Sequence, residues 1–167
     1  MSEEDSARLS LPLLAAGQAQ KEWWHNEALT LLDIAVQAAV EDIDRDAPPN
    51  TPAPGQCWIV GSAPTGAWAG HAGAIAGWTA GGWRFVAPRA GWRAHHRASG
   101  KDAVYDGTAW ELGVVRAARV LVEGTQVLGA RGSAITVPSG GTTIDVECRA
   151  VLETILIAMR KHGLIAS

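Results

Sequence analysis

The chain is poor in most features that would place it quickly. Among 167 residues there are two cysteines, one tyrosine and one phenylalanine. Cys57 and Cys148 lie far apart, with no CxxC and no histidine at a metal-ligand spacing, so neither a disulfide scaffold nor a zinc-finger pattern is present and no metal site is expected. Two free buried thiols are expected in preference to one long-range disulfide. No apolar run reaches the ~18 residues of a membrane span, so no membrane insertion is expected. Positive charge is not in excess: 14 Lys and Arg stand against 17 Asp and Glu, a net charge of -3, which excludes a globally basic nucleic-acid binder. The chain opens on Glu3, Glu4 and Asp5, unlike the basic start of a secretion signal. GxSxG, Walker, HExxH and strand-borne GxGxxG motifs are all missing.

Charge is distributed unevenly. Residues 1–46 hold ten acids against Arg8, Lys21 and Arg45. Residues 47–101 hold no acid and carry Arg84, Arg89, Arg93, Arg97 and Lys101. Residues 102–167 are nearly balanced. Such asymmetry implies an interaction surface, or an acidic helix lying near a basic module in the same or a neighbouring subunit. Three segments follow: an arm and amphipathic helix over 1–46, a Trp-rich β module over 47–113, and β-strands plus a helix over 114–167. The fold class is α+β, a small Trp/Gly-rich antiparallel module flanked by helical ends.

In the first segment, Pro12 and Gly17 break the Leu9–Glu22 stretch into an arm. Asn26 reads as an N-cap, and Leu29, Leu32, Val36, Ala39 and Ile43 make a heptad-type stripe. The acids Glu41, Asp42, Asp44 and Asp46 crowd the end of that stripe, where the dipole disfavours them. The helix therefore frays there, or the acids meet arginines of the middle segment. A proline-rich linker over 47–54 stops it.

The middle segment holds six of the eight Trp and eleven Gly between Gly55 and Leu112. Short strands are expected at Gln56–Val60, Ala74–Trp78, Trp83–Ala87, Gly91–His96, Ala103–Tyr105 and Ala109–Leu112, the last two joined by an Asp106-Gly107 turn. With few Leu or Phe to fill a core, Trp58, Trp68, Trp78, Trp83 and Trp110 are expected in core or subunit interface. Trp92 and Trp23-Trp24 remain for the surface. Trp92, Arg93, His95 and Arg97 are the candidate ligand residues, since an indole stacks on a sugar and Arg holds an anion. Stacking on single-stranded nucleic acid is the competing use of the same residues. In the last segment, strands are expected at Val114–Val122, Gln126–Ala130 and Ala134–Val137. A second helix follows, capped by Thr142 with Asp145 and stopped by Gly163. Its apolar face is Cys148, Val151, Leu152, Ile155, Ala158 and Met159.

Leu11-Pro-Leu-Leu-Ala-Ala-Gly-Gln-Ala-Gln-Lys-Glu22, His25-Asn-Glu-Ala-Leu29, Thr65–Ala76, Ala87-Pro-Arg-Ala-Gly-Trp92 and Tyr105-Asp-Gly-Thr-Ala-Trp110 together resemble an uncharacterised domain family. It is found in phage and prophage fibre and tail proteins, and in the head-spike proteins of gene transfer agents. The resemblance covers about residues 9–112, and Gln126–Ile165 resembles a closing segment of such proteins. It implies a non-enzymatic particle component without cofactors, made in the bacterial cytoplasm and displayed at the particle surface. The implied assembly is a cyclic homo-oligomer, five-fold or three-fold, touching capsid or tail proteins and a distal fibre protein. Host surface polysaccharide is a further partner; direct nucleic-acid binding is not expected. Leu11, Leu13, Leu14, Trp23, Trp24, Leu29, Leu32, Val36 and Ile43 are the expected partner or oligomer contacts. A carbohydrate-binding module is the alternative function, and a cell-wall hydrolase a remote one.

Overall fold

The computed structural model describes residues 5–15, 17, 21–142 and 145–166. The expected arm is thus seen in part, with Ala16 and residues 18–20 outside the described set. The chain divides into two compact units, Met1–Val114 and Val115–Ser167.

The first unit contains α1 (Lys21–Ala35), β1 (Ala38–Val40), β2 (Cys57–Ile59), a 3-10 turn (Gly66–Trp68), β3 (Ile75–Thr79), β4 (Gly82–Val86), β5 (Arg93–His96), β6 (Lys101–Tyr105) and β7 (Trp110–Leu112). All six strands expected in the Trp-rich segment form, within two residues at each end. They make two sheets, ordered β1-β5-β6-β7 and β2-β3-β4. Every pairing is antiparallel except β1 with β5, where Ala38, Ala39 and Val40 run parallel to Ala94, His95 and His96. This pairing joins the segments expected as separate, 1–46 and 47–113, into one core.

The helix expected to run from Asn26 to Ile43 is corrected at both ends. It begins at Lys21, and Asn26 lies inside it. The Asn26 side chain clasps the arm instead, accepting from the Leu14 amide and donating to the Leu14 carbonyl, each at 2.9 Å. The helix stops at Ala35 because its last carbonyls are taken by another donor. The Arg8 guanidinium donates to the carbonyls of Asp33, Ile34, Val36 and Gln37. That supplies the partners a helix C-terminus lacks, and Gln37 then turns the chain at φ 45°. Ala39 consequently lies on a strand and Ile43 packs on the core from a loop.

Period-two alternation explains why the β2-β3-β4 sheet is buried on both faces. Cys57, Ile59 and Ile75 point into a cluster with Ile34, Ala38, Val40, Ala94 and Ala103. Trp58, Val60 and Ala76 point the other way, into a cluster closed by Trp68 with Trp78, Trp83 and Phe85 packed on it. Trp83 sits 5.2 Å from Trp68, 5.5 Å from Trp58 and 4.9 Å from Trp78, all edge-to-face. The indoles therefore do the filling that Leu and Phe do elsewhere. Gly77 is the point where α1 meets β3: a Cβ there would come within 2.6 Å of Ile34 Cγ1.

Part of the charge asymmetry is met within the unit. Arg84 Nε lies 2.8 Å and 2.9 Å from the two oxygens of Glu27, and Arg97 Nε lies 3.5 Å from Glu41. Two acids of the first segment thus meet two arginines of the second.

The second unit contains β8 (Val120–Val122), β9 (Thr125–Leu128) and α2 (Val146–Lys161). Glu123 and Gly124, at φ 49° and 79°, form the expected turn between the strands. Three expectations are corrected. Strand structure over Val114–Val122 is confined to its last three residues, and Ala134–Val137 forms no strand. The N-cap of α2 is Asp145, not Thr142, its carboxylate accepting from the Cys148 amide at 2.8 Å. The C-terminus ends as expected at Gly163, with Gly163 N–H donating to Arg160 and Leu164 N–H to Met159, a Schellman closure. Most of the large apolar side chains of α2 are exposed, Val151, Leu152, Ile155 and Ile157 among them. Among the described residues of this unit only Leu156 and Ile165 are buried hydrophobics.

Candidate functional site

Trp92, Arg93, His95 and Arg97 are expected to act together. The sheet separates them. Trp92 precedes β5, half-buried, and packs on the core with Ala94. Arg93 and His95 alternate to the exposed face. There His95 Nδ1 lies 2.9 Å from Asp102 Oδ1 across the β5-β6 pair, and Arg97 is engaged by Glu41. Indole and guanidinium therefore share no binding face, and both His95 and Arg97 already have acidic neighbours. His96, on the inner side, bonds Ser99 Oγ at 2.8 Å.

The arm is likewise occupied at home. Its anchor is Asp33, buried at 4% exposure in the last turn of α1. The Asp33 carboxylate accepts from Ser6 Oγ at 2.7 Å, from the Arg8 amide at 3.0 Å and from the Leu9 amide at 2.6 Å. Ser6 in turn receives the Leu11 amide at 2.9 Å, and a bridge between Asp5 and Pro12 closes the loop. Leu11, Leu13 and Leu14 are half-buried as a result, and Leu29 is half-buried on the helix. Leu32 and Val36 are exposed, while Ile43 belongs to the core. Trp23 and Trp24 stand 79% and 83% exposed on the first turn of α1. With Glu27 and Arg84 they line an open depression.

Sequence reading missed a different grouping. Where β2, β6 and β7 converge, a groove of about 350 Å³ is lined by Ile43, Asp44, Ser62, Tyr105, Thr108 and Trp110, among others. Tyr105 and Trp110 form one wall, ring centroids 5.4 Å apart. Trp110 Nε1 donates to the Gly73 carbonyl at 2.8 Å and so ties β7 to the loop before β3. The Asp106 carboxylate accepts the amides of Thr108 and Ala109 at 2.7 Å and 2.8 Å, which fixes the turn between the two rings. Asp44 enters the groove from a left-handed backbone, φ 61°. The signal was present in Tyr105-Asp-Gly-Thr-Ala-Trp110, whose turn explains Asp106 and Gly107 but not the two aromatics flanking them.

Both thiols are free. Cys57 is buried as expected, and burial pushes its pKa up to about 11, against an opposing pull from the Arg8 charge. Cys148 is exposed, contrary to expectation. Among the described residues no group of three His, Cys, Asp or Glu is placed to hold a metal ion, and no helix is long and apolar enough to cross a membrane.

A search of curated proteins finds no match to the chain. Residues 25–111 match the family described as a protein of unknown function, DUF2793; that span runs from inside α1 through both sheets to Glu111 and includes the groove, and the chain belongs to this family.

Proposed function

We propose that this chain is a non-enzymatic structural component of a phage-like particle, a gene transfer agent or prophage. In this reading it is the base or adaptor of a surface spike or fibre that supports attachment to the host cell. The observation that carries the reading is the contrast between the units. The first satisfies its own core, its own arm and two of its own cross-segment ion pairs. The second exposes most of its large apolar side chains, as a piece of a larger assembly does. Resemblance of residues 9–112 and 126–165 to phage-type fibre and spike proteins supports the same assignment. A cyclic homo-oligomer follows from the symmetry of spikes and fibres. Capsid or tail proteins and a distal fibre protein are the proposed partners, and the particle surface is the proposed location.

The test is direct. Purified particles from the producing cells should contain the chain in fixed stoichiometry to the major capsid protein. Deleting its gene should leave DNA-filled particles that adsorb to the host at least about tenfold less, the equivalent of ~1.4 kcal/mol. Particles that lack the chain, or that adsorb normally without it, refute the reading.

A second reading, recognition of host capsular or surface polysaccharide, is favoured by the groove. Tyr105 and Trp110 offer ring faces for a sugar, and the nearby Asp44 carboxylate is a hydroxyl acceptor. In this reading the glycan contact is the groove rather than Trp92, Arg93, His95 and Arg97. Loss of binding to isolated host polysaccharide in Asp44→Ala supports it; retention argues against it.

A further inference from the structure

We infer that α2 is the chain's self-assembly element, packing in parallel with α2 of at least two further copies around a common axis. This deepens the oligomer reading above and rests on it. Cys148, Leu152, Ile155 and Met159 recur at spacings of four, three and four, the seam of a coiled coil. Leu152 is 42% and Ile155 49% exposed, with Cys148 exposed beside them. Along one flank Val151 and Ala158 widen the apolar stripe. On the other flank Leu156 is buried and Arg149 donates to the Gly140 carbonyl.

Three features specify a further copy of the chain as the occupant. The first is seam chemistry: Leu at the first core position with Ile at the second favours three or four strands over two. The second is charge: Glu147, Glu153, Arg160 and Lys161 all lie on the outer positions, so parallel copies bring no like charges together across the seam. The third is area. The exposed apolar residues of the stripe and of the hairpin, Val120, Leu121, Val122, Val127 and Leu128, together amount to roughly 600 Å² per copy, at the low end of what one side of a specific interface buries. A two-stranded hairpin and a 16-residue helix are each marginal alone, so their stability has to come from neighbours.

Parallel packing brings the Cys148 thiols together at the axis, while Cys57 is buried in the other unit. Full-length protein at micromolar concentration should therefore scatter light as three or more copies. Diamide, which takes two electrons and two protons from a thiol pair, should give a two-chain disulfide species that Cys148→Ser abolishes. Ile155→Asp should lower the self-association constant at least about a hundredfold, with the tryptophan fluorescence of the first unit unchanged. A monomeric wild type overturns the inference. So does an assembly that survives both Leu152→Asp and Ile155→Asp, or one that gives no Cys148 cross-link. The two readings fail separately: a self-assembling chain missing from particles refutes only the function, and a particle protein indifferent to these substitutions refutes only the role of α2.

Discussion

Replacing Asp33 by Ala should release the arm, and the structure sets the size of the effect. Three bonds end on this carboxylate, from Ser6 Oγ and from the amides of Arg8 and Leu9. A hydrogen bond to a charged group contributes about 1.5–3 kcal/mol. The three are not additive, because the freed amides of an arm at the surface regain water. A net loss of about 2–4 kcal/mol is expected. Ser6→Ala removes one donor and leaves the carboxylate two, so about 1 kcal/mol is expected there. Arg8→Ala removes the donors on the last carbonyls of α1 and should cost about 1–2 kcal/mol by fraying that end. Urea unfolding followed by tryptophan fluorescence measures all three, since the indole cluster lies in the same unit. Amide exchange supplies the local readout: the Arg8 and Leu9 amides should be protected in the wild type and fast in Asp33→Ala. A loss under about 1 kcal/mol, or fast exchange at those amides in the wild type, would show that the arm is not held by Asp33.

Other expectations follow from single contacts. Gly77→Ala should cost about 1–3 kcal/mol, because the new methyl meets Ile34, and adding Ile34→Val should recover part of it; strict additivity in urea melts would refute that contact. Trp68 Nε1 is buried with no hydrogen-bond partner among the described residues, so Trp68→Phe should cost well under the ~3–5 kcal/mol of Trp68→Ala, and equal costs would refute the orphaned donor. Burial raises the Cys57 pKa from 9.0 to about 11, so its thiol stays protonated in the fold where the unfolded chain ionises. This group contributes no change below pH 9, and stability falls as pH rises from about 9 to 11, by about 2–3 kcal/mol in full. Measured against Cys57→Ala across that window, the extra decline should belong to the wild type alone.

The parts of the fold legible in the sequence are those whose signal is local. Glycine-bounded runs with period-two alternation located β2 to β7, and the poverty in Leu and Phe identified Trp58 and Trp68 as core. Gly163 and Arg160-Lys161 located the end of α2. What escaped depends on residues distant in sequence. The stripe from Leu29 to Ile43 has helical spacing throughout, but Arg8 caps the helix at Ala35, and β5 then offers Ala38–Val40 a parallel partner more than fifty residues away. No window of sequence contains both facts. The Trp92–Arg97 grouping is divided for a related reason: adjacency in sequence does not give adjacency on a surface, because β5 turns Arg93 and His95 to the face opposite Ala94 and Trp92.

The apolar face of α2 marks the sharper divide. The expected stripe is not the face the helix buries, which is marked by Leu156, and a stripe does not say whose surface it meets. In α1 the question has a local answer, since Gly77 admits Ile34 and Arg84 meets Glu27. In the second unit the only buried hydrophobics among the described residues are Leu156 and Ile165, while Val151, Leu152 and Ile155 are left in water. A segment that buries so little cannot offset the conformational entropy of ordering its backbone, at roughly 1–2 kcal/mol per residue. If α2 is the self-assembly element inferred above, its folding is linked to association, and its stability should rise with protein concentration while that of the first unit stays constant. Two unfolding transitions, one concentration-dependent and lost in Ile155→Asp, are the expected signature; a single concentration-independent transition would mean that the second unit is covered within one chain.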